Sequence, residues 1–90
     1  MSQQGSQIIV HGKVQMVGFR YATVKQALQL GLTGHAINLV NGDVEVQVFG
    51  EKNERDKLIL WLREGPDTAQ VDALEITTID YQPIQDFTQG

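Results

Sequence analysis

The apolar residues of this 90-residue chain change their spacing along the sequence, and that change constrains the fold more than any single residue does. Near the N-terminus Ile8, Val10 and Val14 share one parity and Ile9 falls between them. A strand apolar on both faces is central in its sheet. From about residue 21 to residue 30 the spacing becomes helical: Val24, Ala27 and Leu28 follow i, i+3, i+4, with Lys25, Gln26 and Gln29 opposite. Gly31 is placed to end that helix as a C-terminal cap. A short strand around residues 35–39 follows. Asn41-Gly42 then predicts a hairpin with a type I′ turn, which needs positive φ at both central residues. Val44, Val46 and Val48 alternate with Asp43, Glu45 and Gln47, the pattern of a half-buried strand.

The second half repeats the switch. A helix is predicted over about residues 53–63, with Asn53 as N-cap and Asp56 adding negative charge to the first turn. Leu58, Trp61 and Leu62 form its apolar face, and Gly65-Pro66 stops it. Helical spacing with two leucines assigns Trp61 to core packing rather than to ligand stacking. The last long strand covers about residues 71–81, with Leu74 and Ile76 on one side and Ile79 and Tyr81 on the other. Pro83 interrupts it, and residues 84–87 are an optional short edge strand. Residues 1–6 read as a loose tail and residues 7–90 as a single domain. The order β-α-β-β-α-β is α+β, a ferredoxin-like α/β sandwich with two helices over one face of a mainly antiparallel sheet.

Composition narrows the chemistry. No cysteine is present, which excludes a disulfide staple, a thiolate nucleophile and any Cys-ligated metal. The fold therefore rests on one hydrophobic core. Seven Lys+Arg against 11 Asp+Glu give a net charge of −4, which argues against broad nucleic-acid binding but not against one local anion site. The apolar stretches fall far short of the roughly 20 residues that cross a bilayer, so no membrane partner is expected. The polar start has neither the basic nor the apolar segment of an export signal, so the expected compartment is the cytoplasm.

Fold alone does not assign a function, so the chemistry has to come from a site. The segment Gly12-Lys13-Val14-Gln15-Met16-Val17-Gly18-Phe19-Arg20 joins the central strand to a helix N-terminus. Such junctions present free backbone N–H groups and a favourable dipole to anions. Its two glycines allow tight curvature and close approach of backbone to ligand. No Gly-Lys-Ser or Gly-Lys-Thr closes it, so it is not a Walker A loop. Arg20 needs explaining, because a cation at a helix N-terminus opposes the dipole by about 0.3–1 kcal/mol. A bound anion reverses that sign, and the planar guanidinium matches two phosphate oxygens. The plainer account of Arg20 is a surface salt bridge.

Gly12-x-Val14-Gln15-x-Val17-x-Phe19-Arg20 resembles the signature of the acylphosphatases, small hydrolases of carboxyl–phosphate anhydrides. The resemblance continues through Gly31-Leu32-Thr33-Gly34-x-x-x-Asn38, Asn41-Gly42-Asp43-Val44-Glu45, Gly65-Pro66 and Val71-Asp72, covering nearly the whole chain in order. It implies hydrolysis of an acyl phosphate to a carboxylate and inorganic phosphate, with no metal and no cofactor. The phosphate would be held by Arg20 and the amides of Gln15, Met16, Val17, Gly18, Phe19 and Arg20. Asn38 would orient the water. A carboxamide suits that task, because it accepts a hydrogen bond from water and donates one to a phosphate oxygen. Acyl phosphates carry a good leaving group, so positioning and charge stabilisation suffice. The partners implied are a small-molecule acyl phosphate and phosphate or sulfate as product or inhibitor, with the protein a monomer.

Three positions depart from the family pattern. Met16 stands where glycine is usual, in the middle of the anion loop; if that position needs positive φ, a methionine there costs of order 1 kcal/mol. His35 stands in place of a common tryptophan, and Ile37 in place of a common basic residue, which weakens the positive field near the site. His11 reads as structural, and His35, nearer the site, as the better source of a pH effect. The two histidines are far apart without ligand spacing, so no metal site is expected. Glu51, Glu54, Arg55, Asp56 and Lys57 read as a solvated helix face, and Lys13 as an exposed strand lysine. Two further readings compete with the hydrolase. One is a weak or inactive anion-binding module marked by Met16. The other is a ferredoxin-like module that associates through its edge strand. Neither requires Asn38.

Overall fold

The structure, a computed structural model, describes residues 4–90. The elements are β1 (Gln4–Lys13), α1 (Phe19–Gln29), β2 (Thr33–Asn38), β3 (Val44–Phe49), α2 (Lys52–Leu62), β4 (Gln70–Asp80) and β5 (Phe87–Gln89). The strands form one sheet in the order β4-β1-β3-β2-β5. Every junction is antiparallel except β2 with β5. This is the expected ferredoxin-like α+β sandwich with its fifth strand present. That strand begins later than residue 84 because Asp86 ends the approach. Its carbonyl accepts the Gly34 N–H at 2.8 Å and its carboxylate accepts the Phe87 N–H at 2.8 Å. Phe87 then enters the core.

β1 lies between β3 and β4, as its two-sided apolar pattern predicts. Ile8, Val10, Ala36, Val44, Val46 and Val48 pack with Phe19, Ala27, Leu58, Ile59 and Leu62 in one core. Trp61 packs on this core with its ring centroid 6.1 Å from that of Phe19, as helical spacing implies. The buried face of α1 differs from the expected one. It is Phe19, Thr23 and Ala27, at i, i+4 and i+8, while Leu28 is 52% exposed. Thr23 is tolerated there because its hydroxyl donates to the Phe19 carbonyl at 2.8 Å. Gly31, at φ 70°, ends α1 as predicted, with the Leu32 N–H on the Ala27 carbonyl at 3.0 Å. α2 starts at Lys52 after Glu51 rather than at an Asn53 cap, since the Arg55 N–H already bonds the Glu51 carbonyl at 2.9 Å.

Three further expectations are corrected. Residues 1–3 of the predicted tail lie outside the described residues, but Gln4, Gly5 and Ser6 belong to β1. Gly5 pairs with Phe49 and Ile79, and a Cβ on it would stand 2.5 Å from the Phe49 ring. The ring therefore seals the backbone there, with Tyr81 edge-on to it at 6.2 Å. The hairpin has no type I′ turn, because Asn41 is not at positive φ. A three-residue connection closes instead, with Gly42 alone at φ 100° and the Leu39 N–H on the Asp43 carbonyl at 2.8 Å. Asn41 caps the turn with its side chain, whose oxygen accepts the Asp43 N–H at 3.0 Å. Finally, Arg55 is not on a solvated face. It is 8% exposed, donating from Nε to the Gly50 carbonyl at 3.0 Å and from Nη1 to Ser6 Oγ at 2.7 Å.

Candidate active site

Register places Asn38 and the start of the loop after β1 toward one end of the sheet. Val10, Val44 and Asn38 lie in one row across β1, β3 and β2. Beyond that row β1 gives way to the loop of residues 14–18, and α1 begins at the loop's end. Val14 and Phe19, both buried, anchor the two ends of the loop in the core.

Between these anchors the loop is tied on two sides. The Gln15 side-chain amide donates to the Leu39 carbonyl at 2.7 Å and to the Asp43 carbonyl at 2.8 Å. The loop is thus fastened to the residue that follows Asn38. On the other side Thr68 Oγ1 donates to the Val17 carbonyl at 2.6 Å. The α1 N-cap residue is Gly18 at φ 76°, and its carbonyl accepts the Ala22 N–H at 3.0 Å. Among the described residues, no protein acceptor takes the backbone N–H groups of Met16, Val17, Gly18, Phe19 or Arg20. The fixed loop therefore presents unpaired donors at a helix N-terminus, the arrangement that binds anions.

Arg20 lies in the first turn of α1, half-buried. It forms no ion pair among the described residues, so the salt-bridge account of this arginine loses its partner. Asn38 ends β2 with an exposed side chain. Met16 is the one non-glycine described at positive φ, 63°, and its side chain is fully exposed. The backbone thus demands at this position the conformation that glycine adopts without strain, which is the condition under which a methionine here is strained.

A second cluster lies on the uncovered face of the sheet. His11 Nδ1 is 2.7 Å from the Asp43 carboxylate and Nε2 is 2.5 Å from that of Glu75. The hydrogen bond to Glu75, with the charge of Asp43 adding to it, raises the His11 pKa above its ordinary value. His35 pairs with the Glu45 carboxylate at 3.1 Å. Among the described residues no group of three or more His, Asp or Glu side chains is placed to hold a metal ion.

A family model described as acylphosphatase matches residues 6–89. The chain belongs to the acylphosphatase family. An acylphosphatase of Vibrio parahaemolyticus is 48% identical over 87 residues, covering 97% of each chain. The solved acylphosphatase from Coxiella burnetii aligns with a TM-score of 0.93 at 37% identity, over 99% of this chain and 94% of that one. The acylphosphatase from Bacillus subtilis gives 0.93 at 27% identity, over 97% and 98%.

Within this acylphosphatase fold the sequence-predicted residues gather from three separate segments. Gln15, Met16, Val17 and Gly18 form the loop, Phe19 and Arg20 open the helix, and Asn38 ends β2, which β3 separates from β1. The Phe19 ring is buried in the core, which leaves only its backbone available to a ligand. Sequence reasoning missed the supports: the Leu39 and Asp43 carbonyls, the Thr68 hydroxyl and Glu75. Backbone carbonyls leave no residue-type signal, and Thr68 lies in a polar loop 51 positions from its partner. Asp43 was visible as part of the Asn-Gly-Asp turn, but not as a joint between turn and loop.

Proposed function

We propose that this protein hydrolyses the carboxyl–phosphate bond of acyl phosphates, using Arg20, the loop amides and Asn38. Family membership supports the reaction. The observation that supports these residues is the Gln15 amide bridging the loop to the end of β2. It ties the loop, whose N–H donors and Arg20 guanidinium have no partner among the described residues, to the residue that follows Asn38.

In this reading the amides of Gln15 to Arg20 and the Arg20 guanidinium hold the phosphoryl oxygens. Asn38 accepts a hydrogen bond from a water molecule and aims it in line with the phosphorus–acyl oxygen bond. The water oxygen attacks phosphorus, that bond breaks, and the carboxylate leaves with its electron pair. The water's proton passes to solvent. Charge moves onto the carboxylate and the equatorial oxygens, and the donors in this reading stabilise it on the latter. No step needs a metal or cofactor.

Benzoyl phosphate hydrolysis by the wild type, Arg20→Ala and Asn38→Ala tests this. Each variant is expected to lose on the order of 10² in rate. A wild type no faster than buffer would replace the hydrolase with an anion-binding module.

A further inference from the structure

We propose that His11 is a positioning residue for the hydrolysis: held between Glu75 on β4 and Asp43 in the hairpin, it fixes the hairpin that carries Asn38 and, through Gln15, the anion loop. This rests on the reading of Arg20, Asn38 and the loop just given.

Three links carry the inference. The first is the ring itself. Both nitrogens of His11 face carboxylate oxygens, which only accept hydrogen bonds. A neutral imidazole has one N–H, so the second contact would set lone pair against lone pair. Only the imidazolium satisfies both carboxylates. The second link is Asp43. Its carboxylate binds His11 and also accepts from Asn41 Nδ2 at 3.0 Å, while its carbonyl accepts both the Leu39 N–H and the Gln15 amide. One residue thus joins the ring, the turn and the loop. The third link is Gln15, which bonds the residue after Asn38.

The charged surroundings of His11 are mostly acidic. Glu75 faces it from β4 and Asp43 from the hairpin. Glu45 on β3 sits in the adjacent row, opposite Ile9, and is engaged by His35. Asp72 on β4 is bonded to Gln70, and Lys13 lies two residues along β1 with its side chain exposed. Deprotonation therefore leaves Asp43 and Glu75 without a shared cation. Because the His11 pKa is raised in the folded protein, this clamp is fully present below about 6.5 and is lost as pH rises through the raised value.

The test compares wild type, His11→Phe, His11→Gln and His35→Gln over about pH 5 to 9. Two readouts are taken: kcat for benzoyl phosphate, and the NMR shifts of the His11 ring and the Gln15 side-chain amide. Wild-type kcat is expected to fall about tenfold as the His11 ring loses its proton, because small misplacements of reacting groups are costly. The Gln15 amide should titrate with the same midpoint. Both transitions should vanish in the two His11 variants, whose second member guards against a folding defect in the first. They should persist in His35→Gln. A Gln15 amide insensitive to pH, or a kcat transition that survives His11 replacement or disappears with His35, overturns the proposal. The NMR arm needs no turnover. A protein without hydrolase activity would sink the proposed function while still reporting whether His11 and Gln15 are linked.

Discussion

Gln15 and Leu39 are 24 residues apart in sequence and joined by a 2.7 Å hydrogen bond, from a side-chain amide to a backbone carbonyl. The amide's second bond, to the Asp43 carbonyl, makes it a two-pronged brace between the loop of residues 14–18 and the β2–β3 hairpin. Gln15→Ala removes both prongs and leaves two carbonyls underbonded. Stability is expected to fall by about 2 kcal/mol, from roughly 1 kcal/mol for each net hydrogen bond. Hydrolysis should slow as well, since loop and Asn38 lose their common reference. Urea unfolding and benzoyl phosphate turnover on the same preparation check the two effects.

Met16 holds a left-handed conformation with its side chain in solvent. Met16→Gly removes the strain without removing any packing. A gain of about 0.5–1 kcal/mol is expected, after allowing for the greater freedom of glycine in the unfolded chain. Met16→Val should be destabilising, because a β-branched residue tolerates positive φ poorly. Equilibrium unfolding midpoints of the three proteins give the order glycine, methionine, valine.

Arg55 is nearly buried, and its described bonds run to Ser6 and to the Gly50 carbonyl, not to a carboxylate. Truncation to alanine removes the packed stem and strands both partners, at an expected cost of about 3 kcal/mol. Arg55→Met keeps the stem and spares the desolvation of a charge, so its cost is expected to be about 1 kcal/mol. If the two variants unfold at the same denaturant concentration, the guanidinium rather than the stem is what matters.

Gly5 lies beneath the Phe49 ring, where a Cβ would stand 2.5 Å away. Gly5→Ala should therefore displace the ring and its edge-on contact with Tyr81, costing about 1–3 kcal/mol by overpacking. The same substitution in a free tail would be silent. Thermal unfolding separates the two cases.

Legibility tracked the range over which each interaction acts. Strand and helix order, the Gly31 cap and the core role of Trp61 were readable because they depend on neighbours within a turn or two. Met16 in place of the family's usual glycine raised the question of positive φ, and only the backbone answered it. The Asn41-Gly42 signal gave the hairpin's place but not its turn, since the Asn41 side chain chose a cap over a left-handed backbone. Arg55 looked like one more charge in a charged run, because nothing local shows that Ser6, 49 positions away, meets its guanidinium. His11 looked structural because neither of its partners lies near it in sequence.

The sequence by itself determined the α+β layering, the central place of β1, and a glycine-bearing loop that presents Arg20 at a helix start, with Asn38 on the next strand. Apolar spacing and motif residues are local properties of the chain, and they survive reading in one dimension. The tertiary structure alone decided what holds those pieces in register. Gln15 reaches Leu39, Thr68 reaches Val17, and His11 spans Asp43 and Glu75. Each is a polar contact between segments distant in sequence, and its energy exists only once the sheet has set their separation to within an ångström.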